Sequence, residues 1–307
     1  MPRLNSNEKR LLAQVSLANL EQSEAYNLRL NGQCASRRSS ENAVIKSKTT
    51  EEGLDIYVKD DVLFTTVCIP VILSASGQRE LIYNDFYIGK NSRVLIVAGC
   101  GVENHGAQKS VHNGIHRFHL AKGAKVKYIE KHLGIGKAEA LREINPVTEI
   151  NLGVDAEMEM LTTQIGGLKS AQRQTSAKLS ARSKLKIIEK ISTTKQEYAR
   201  TDFSVSLLKD ASASIESRSV AAGHSRQQFH SAIDGMARCK AYVSCNAIIN
   251  DHAQVSALPA INARHAEAVL AHEASIGKIA SDQLEKLMTL GLSQKAAEKI
   301  IINAFLN

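Results

Sequence analysis

The sequence contains no tryptophan, few aromatic residues and only four prolines among its 307 positions. Aromatic residues make up 4% of the chain, whereas hydrophobic residues make up 43%. A core of this composition must consist mainly of Val, Ile, Leu and Ala, which favours thin, regularly stacked structure over a bulky sandwich. The shortage of aromatic rings also argues against a carbohydrate-active enzyme, because such enzymes use aromatic platforms to hold sugars.

Several motifs that define common protein classes are missing. The five cysteines form no CxxC pair, and their odd number argues against a secreted disulfide framework. The first residues lack an apolar signal core, and the longest apolar run, VCIPVIL at 67–73, is too short to cross a bilayer. No phosphate loop, HExxH motif or GxSxG motif occurs. We therefore expect a cytoplasmic protein with reduced thiols and no membrane association.

The charge of the chain bears on one class of partner, nucleic acids. The net charge of +8 is spread along the sequence and forms no basic stripe with interleaved aromatics. This distribution is typical of a well-solvated basic surface. We expect no nucleic-acid partner.

A short pattern recurs through the middle of the chain: a small or polar turn residue, then Ala, then apolar residues at every second position. It occurs in the segments GAKVKY (Ala124, Val126, Tyr128), DAEMEM (Ala156, Met158, Met160), SARSKLKI, DASASI, MARCKAYV, HAQVSAL and HAEAVL. Alternation of this kind predicts strands with one buried face. The segments are irregularly spaced, which argues against a strict repeat array, but most intervals suit units of one or two strands. Together with the few hairpin turns, this favours a right-handed parallel β-helix, with an antiparallel sandwich as the alternative.

Helical patterns flank this region on both sides. Segment 6–32 predicts a helix that is capped by Asn5 or Ser6, carries Leu11, Leu12, Val15, Ala18 and Leu20 on one face, and stops at Gly32. After Gly277, two helices are predicted, capped by Ser281 and Ser293. Their apolar faces carry Leu284, Leu287, Met288, Ala297, Ile300, Ile301 and Phe305. Since these faces cannot bury each other alone, they must pack on the β domain or on a partner.

The chain therefore divides into three predicted parts. Residues 1–50 form an N-terminal helical segment and connection, 51–278 form the β-helix core, and 279–307 form a C-terminal helical segment.

Candidate functional residues occur at three places. Segment 99–123 holds Cys100, His105, His112, His116 and His119. Metal binding is one reading, but the stronger one is a set of partly exposed strand and turn histidines, because His116 and His119 point to opposite faces of a strand. Cys245 is either a small buried hydrophobe or a thiolate that accepts sulfur or binds iron. His272 and Glu273 lie in AVLAHEASIGKI at 268–279. They are either ligands or polar residues at the point where the β region stops and the helices begin.

The run LAHEASIGKIASDQLEKLMTLGLSQKAAEKIIINAF at 270–305 resembles the C-terminal region of the SufB/SufD family of iron–sulfur cluster assembly proteins. The resemblance extends upstream through AYVSCNAIINDHAQVSALPAI, YNDFYIGKNSRVLIVAGC and GIHRFHLAKGAKVKYIEKH, and covers most of residues 50–307. It implies a parallel β-helix with terminal helices. It also implies a non-enzymatic component that docks the ABC-type ATPase SufC through its C-terminal helices, pairs as a homodimer or with a SufB/SufD paralogue, and receives sulfur from a cysteine desulfurase pathway.

The resemblance also implies site residues. Cys245 and Glu273 match the SufB-type cysteine and glutamate, and His272 matches the SufD-type histidine, which leaves the subtype open. Together they would hold a transient iron–sulfur cluster at a subunit interface. The docking residues implied on the helices are Leu284, Leu287, Met288, Ile300, Ile301 and Phe305. A metal-free structural partner of the ATPase is the main alternative.

Overall fold

The computed structural model describes residues 4–16, 20–136 and 141–306. Three α-helices occur: α1 (Ser6–Val15), α2 (Ser281–Thr289) and α3 (Gln294–Leu306). A short 3₁₀ helix spans Leu20–Gln22. The strands of the first half are β1 (Ala25–Leu30), β2 (Gln33–Arg38), β3 (Ala43–Ser47), β4 (Gly53–Val58), β5 (Thr65–Leu73), β6 (Arg79–Ile88), β7 (Arg93–Asn104), β8 (Ser110–Leu120), β9 (Lys125–Gly136) and β10 (Arg142–Ile144). The remaining strands are β11 (Val147–Leu152), β12 (Glu157–Ile165), β13 (Ser170–Leu179), β14 (Lys184–Thr193), β15 (Tyr198–Leu207), β16 (Ser212–Ala221), β17 (Arg226–Gly235), β18 (Cys239–Ile249), β19 (Gln254–Ala263) and β20 (Ala268–Gly277).

These strands wind into a β-solenoid of about eight turns, which confirms the predicted parallel β-helix. Sheet A runs in the order β2-β1-β5-β7-β9-β12-β14-β16-β18-β20, and sheet B in the order β19-β17-β15-β13-β10-β8-β6-β4-β3, with β11 between β13 and β8. The chain alternates between the sheets, so one coil contributes a strand to each. Neighbours pair in parallel except β1 with β2 and β3 with β4. From β13 to β19, equivalent residues of neighbouring coils are 28 positions apart, as are Asp210 and Arg238, and the interval from β18 to β20 is 29.

The predicted alternation becomes the core of the solenoid. In β14, for example, Leu185 and Ile187 point inward and are at most 2% exposed, while Lys184 and Lys186 face water. Tight corners join the sheets, where Asp155 and Asp210 adopt a left-handed conformation with φ of 60°. The next residue at these corners, Ala156 or Ala211, is buried because the turn leaves room only for a small side chain.

The N-terminal helix is shorter than the sequence predicted. Helix α1 ends at Val15, and Ala18 lies outside the described residues. The prediction of one helix to Gly32 is wrong, because Ala25–Leu30 joins sheet A beside β5 and is buried on both faces. Neighbouring strands thus override the weak helical propensity of this segment. The cap prediction is confirmed at Asn5, which forms a capping box with Glu8.

Helix α1 lies against the outer face of sheet A. Two outward glycines of β7 allow this close approach: a Cβ on Gly99 would lie 2.3 Å from the Val15 carbonyl oxygen, and one on Gly101 would lie 2.8 Å from Leu11 Cδ2. Leu11 and Val15 are fully buried there. A side chain at either glycine would lift the helix off the sheet.

The C-terminal helices α2 and α3 pack on each other, and α3 contacts β16 of sheet A. Among the described residues of these two helices, only Ala297 is buried. Ser293 precedes α3 and accepts a hydrogen bond from the Ala296 backbone, as predicted. The cap prediction for Ser281 is wrong, since Ser281 is already the first helical residue and Ala280 occupies the cap position without a side-chain hydrogen bond. Gly291 ends α2 with φ of 90°.

The last coil, formed by β19 and β20, has no further coil stacked on it. Its inward residues extend the apolar rows of the core but remain open to solvent. Ile261 continues the row of Ile233, yet it is 39% exposed, and Ile276 is 38% exposed. The solenoid therefore has an open, partly apolar C-terminal end.

Candidate functional site

The predicted site residues lie on the last two strands of sheet A. Cys245 belongs to β18, and His272 and Glu273 belong to β20. In the parallel register, Cys245 pairs with Ala274, and Val243 pairs with His272. Cys245 therefore lies one coil away from His272 and Glu273.

The pleat places these residues on different faces. Cys245 points inward and is 2% exposed, and His272 continues the inward row of Val243 at the open end. Glu273 points outward, where the Tyr242 hydroxyl donates a hydrogen bond of 2.5 Å to its carboxylate. Within one chain the structure brings Cys245 and His272 to the interior side and separates Glu273 from them.

Cys245 is held as a thiol. Burial raises its pKa to about 12, and the nearby charge of Glu189 adds to the effect. Inside sheet A, Cys245 follows Ser217 and Glu189 in one row of side chains that crosses three coils. A nucleophilic or ligating thiolate at this position requires a cation or a partner group that lowers this pKa.

His272 sits in the mouth of the open end. Its ring centroid is 6.4 Å from that of Phe229, and its Nε2 is enclosed without a hydrogen-bond partner among the described residues. Desolvation lowers its pKa, so the imidazole is neutral at pH 7. A neutral imidazole with an unpaired nitrogen has the electronic state of a metal ligand.

The sequence reasoning missed a row of buried polar residues deeper in the solenoid. The Tyr128 hydroxyl donates to Glu130 at 2.7 Å, and Glu130 also lies 2.7 Å from Nη1 of Arg173. Arg173 in turn lies 3.6 Å from Glu189, which accepts hydrogen bonds from Thr201 and Ser217. The signal was present in KYIEKH: if Tyr128 points inward, the residues two and four positions later do so as well.

The charges in this row shift each other's titration. Desolvation acts to raise the pKa of Glu130, but the Arg173 guanidinium and His132 outweigh it and hold the pKa well below its usual range. Glu189 has fewer cationic neighbours, and its burial raises its pKa. This row thus contains one firmly ionised carboxylate, Glu130, and one that is easier to protonate, Glu189.

The histidine segment differs from its prediction. His112 and His116 are 4% and 7% exposed and point inward from β8, so the reading as partly exposed histidines is wrong for both. Each has a buried polar partner that the local sequence does not reveal. His119 faces outward on the same strand, as predicted, and the His105 side chain is 54% exposed. Cys100 is buried, and this burial together with the charges of Glu80 and Glu130 raises its pKa.

No group of three or more His, Cys, Asp or Glu side chains is arranged to hold a metal ion within residues 4–16, 20–136 and 141–306. The candidate residues on β18 and β20 therefore do not make a complete metal site within one chain. Any ligand set built on them needs groups from outside it.

Comparison with known proteins decides the family. The model of the SUF system FeS cluster assembly SufBD core domain matches residues 75–305. The chain belongs to the SufBD family. An iron–sulfur cluster assembly SufBD family protein of Pyrococcus horikoshii is 28% identical over 270 residues, covering 85% of this chain and 80% of the relative.

Two further relatives carry the same family description. One from Methanocaldococcus jannaschii is 25% identical over 232 residues, covering 74% of this chain and 72% of the relative. One from Methanothermobacter thermautotrophicus is 25% identical over 229 residues, covering 73% of this chain and 55% of the relative. Like the SufBD family as a whole, the chain is linked to iron–sulfur cluster assembly. In the part of the chain that the structure describes, no helix is long and apolar enough to span a membrane.

Proposed function

We propose that this chain is a component of a SUF iron–sulfur cluster assembly complex in the cytoplasm. In this proposal its solenoid pairs with a second subunit, its C-terminal helices bind an ABC-type ATPase, and the complex builds and transfers nascent clusters. The observation that carries the proposal is the open end of the solenoid, which combines an unfinished core with the candidate ligands.

The open end supports pairing between subunits. Strands β19 and β20 are the outermost strands of their sheets, so each presents a row of backbone groups that a partner strand can bind. Pairing would also cover the exposed inward residues Ile261 and Ile276. The partner is a second copy of this chain or a SufB/SufD paralogue, and either would extend both sheets and the core across the interface.

Pairing would also bring ligands from two subunits together. His272 lies at the mouth, Cys245 lies one strand behind it, and Glu273 lies on the outer face of β20. Since these residues do not form a metal site in one chain, the partner would complete the set. Mixed ligation by thiolate, imidazole and carboxylate holds a cluster less tightly than four thiolates and suits a site that releases its product.

Sulfur delivery to Cys245 requires no net oxidation. The Cys245 thiolate would attack the terminal sulfur of a donor persulfide from a cysteine desulfurase pathway, forming a new persulfide while the donor thiolate leaves. The thiol must first lose its proton, which its raised pKa opposes. A bound iron ion or a cationic partner group would favour the thiolate.

The C-terminal helices support the ATPase contact. Met288 and Ile300 are 44% and 46% exposed, and Leu284, Leu287, Ile301 and Phe305 are only partly buried. These residues form an apolar surface that β16 does not cover. ATP hydrolysis by the partner would move these helices and so change the geometry at the nearby subunit interface. The chain itself would carry no catalytic activity.

Anaerobic reconstitution tests the cluster site. The chain is co-expressed with its ATPase and loaded with iron and sulfide, and visible absorption and iron content are compared for wild type, Cys245→Ala and Glu273→Ala. We expect both variants to lose most of the cluster. Cys239→Ala is the matched control, because Cys239 is equally buried on the same strand and should load like wild type.

Equal loading in all variants would contradict the cluster site and favour the second candidate, a metal-free structural partner of the ATPase. That candidate is supported by the outward orientation of Glu273, away from Cys245. Truncation after Gly277 tests the docking surface separately. The truncated chain should no longer co-purify with the ATPase, and unchanged co-purification would refute the docking assignment.

A further inference from the structure

The inward face of β8 carries two histidines on either side of a glycine. His112, Gly114 and His116 occupy alternate positions and all three are buried. The position of a Cβ on Gly114 would lie 3.0 Å from Nε2 of His112 and 3.5 Å from Nε2 of His116. Both imidazoles therefore present the same nitrogen to one small space, and this space exists because residue 114 has no side chain.

Hydrogen bonds set the tautomer of His112. Its Nδ1 lies 2.7 Å from Glu80 Oε2, and Arg29 donates to the other Glu80 oxygen at 2.7 Å. Because Glu80 pairs with the Arg29 guanidinium, its carboxylate oxygens act as acceptors toward His112. Because Nδ1 must then carry the hydrogen, a neutral His112 has its lone pair on Nε2.

His116 is oriented in the same way from the other side. Its Nδ1 lies 2.7 Å from the Tyr128 oxygen, and the Tyr128 hydroxyl donates its hydrogen to Glu130. The Tyr128 oxygen therefore accepts from Nδ1, which again leaves the lone pair on Nε2. His116 is enclosed within the solenoid, with 7% of the residue exposed. Its edge contact with Phe86, at 5.9 Å between centroids, fixes the ring further.

We propose that His112 and His116 form an internal site for a divalent first-row transition metal ion, of the Fe²⁺ or Zn²⁺ class, between their Nε2 atoms. Imidazole is a ligand that these ions favour. Histidine ligands of metals usually donate their second N–H to a carboxylate or another acceptor, which is the arrangement behind both rings. Water or an exogenous ligand completes the coordination.

Coordination by both histidines sets a fixed distance between each ring and the ion. A metal–imidazole bond is about 2.0–2.1 Å long, so both Nε2 atoms must reach this distance from the ion. Two protein ligands hold an ion less firmly than three or four, so the ion exchanges. This site lies on sheet B, away from β18 and β20, and it does not depend on the proposed function.

Metal binding by the full chain tests the proposal. The apo protein is titrated anaerobically with Fe²⁺ and with Co²⁺, whose d–d absorption reports imidazole ligation, and retained metal is measured after gel filtration. We expect about one ion per chain at this site. His112→Ala and His116→Ala should each weaken binding by roughly tenfold or more.

Gly114→Ala is the decisive variant, because it keeps both histidines and fills the space between them with a methyl group. It should lose the ion while its circular dichroism and melting temperature without metal stay close to wild type. Gly277→Ala is the matched control, since a Cβ there meets nothing within 4 Å. His119→Ala controls for the outward histidine of the same strand.

Two results would overturn the proposal. One is Co²⁺ binding by Gly114→Ala that equals binding by wild type. The other is wild-type protein that retains no more metal than the His112→Ala variant, which would mean that a water molecule bridges the two nitrogens.

Discussion

The two ends of the solenoid are finished in opposite ways. At the N-terminal end, β3 pairs antiparallel with β4, and its inward residues Ala43 and Ile45 are 0% and 5% exposed. At the C-terminal end, Ile261 and Ile276 occupy the same kind of inward position but stay more than a third exposed. The chain closes one end with its own antiparallel strands and leaves the other unfinished. The pairing proposed above uses the unfinished end.

The outermost strands follow the same division. Strand β2 carries two arginines: Arg37 donates hydrogen bonds to Asn27 and Ser47, and Arg38 donates to the Ser23 carbonyl. Charged residues on an outer strand discourage pairing with another chain. Strand β20, with the sequence AVLAHEASIG, carries one acidic residue and no such arginine.

The largest expected effect comes from placing a carboxylate at each end. Ile45→Asp buries a charge in the closed core, and we expect it to cost more than about 4 kcal/mol in the free energy of unfolding. Ile261→Asp leaves the carboxylate near water and should cost roughly 1 kcal/mol in the monomer. Chemical denaturation of dilute protein measures both. Similar losses at the two ends would remove the distinction between them.

A smaller difference is expected between ion pairs at the two ends. Arg29 and Glu80 lie 2.7 Å apart with side chains 5% and 3% exposed. Arg29→Ala leaves the buried carboxylate with His112 but without the guanidinium, and should cost about 3–5 kcal/mol. Arg264 and Asp234 lie 3.1 Å apart at the open end with side chains 59% and 28% exposed. Arg264→Ala should cost about 0–1 kcal/mol.

Thermal unfolding and denaturant titration of the two arginine variants provide the measurement. Arg29→Met serves as a control for lost volume, since it retains most of the side chain but not the charge. If Arg29→Met were as stable as wild type, the charge of Arg29 would not be needed to balance Glu80.

The smallest expected effect concerns the helices that begin near each end. Asn5 accepts a hydrogen bond from the Glu8 backbone at 2.9 Å, so Asn5→Ala should destabilise the fold by about 1 kcal/mol. Helix α2 has Ala280 at its cap position and no side-chain cap. Ala280→Ser should therefore stabilise it by about 0.5–1 kcal/mol. Hydrogen exchange of the first amides in each helix reports both effects, and a loss of protection in Ala280→Ser would contradict the second.

The architecture was predictable because its signal is local. Alternation in segments such as DAEMEM and DASASI reports a strand with one buried face, and Ala156 and Ala211 mark the corners. The extent of α1 was not predictable in the same way. Residues 25–30 become a strand because β5 lies beside them, and β5 is more than thirty positions away in sequence.

The candidate site was predictable only in part. The resemblance to a family pointed to Cys245, His272 and Glu273, but their faces depend on the register between β18 and β20. The buried polar row was missed, and the preferred reading of His112 and His116 as partly exposed was wrong. Glu130 meets Arg173, and Glu80 meets His112, only because coils that are distant in sequence stack on each other. Charged residues at inward positions were the only local sign.

The spacing of 28 residues between equivalent positions of neighbouring coils has a consequence for how such a chain can change length. Removing or duplicating one such unit keeps every inward row in phase, whereas a change of one residue within a strand moves the following side chains to the wrong face. Each added or removed unit would shift the C-terminal end by about 4.8 Å relative to the surface on which α1 packs. Length variation in a solenoid of this kind is therefore quantised, and it alters the reach of the molecule without redesigning either end.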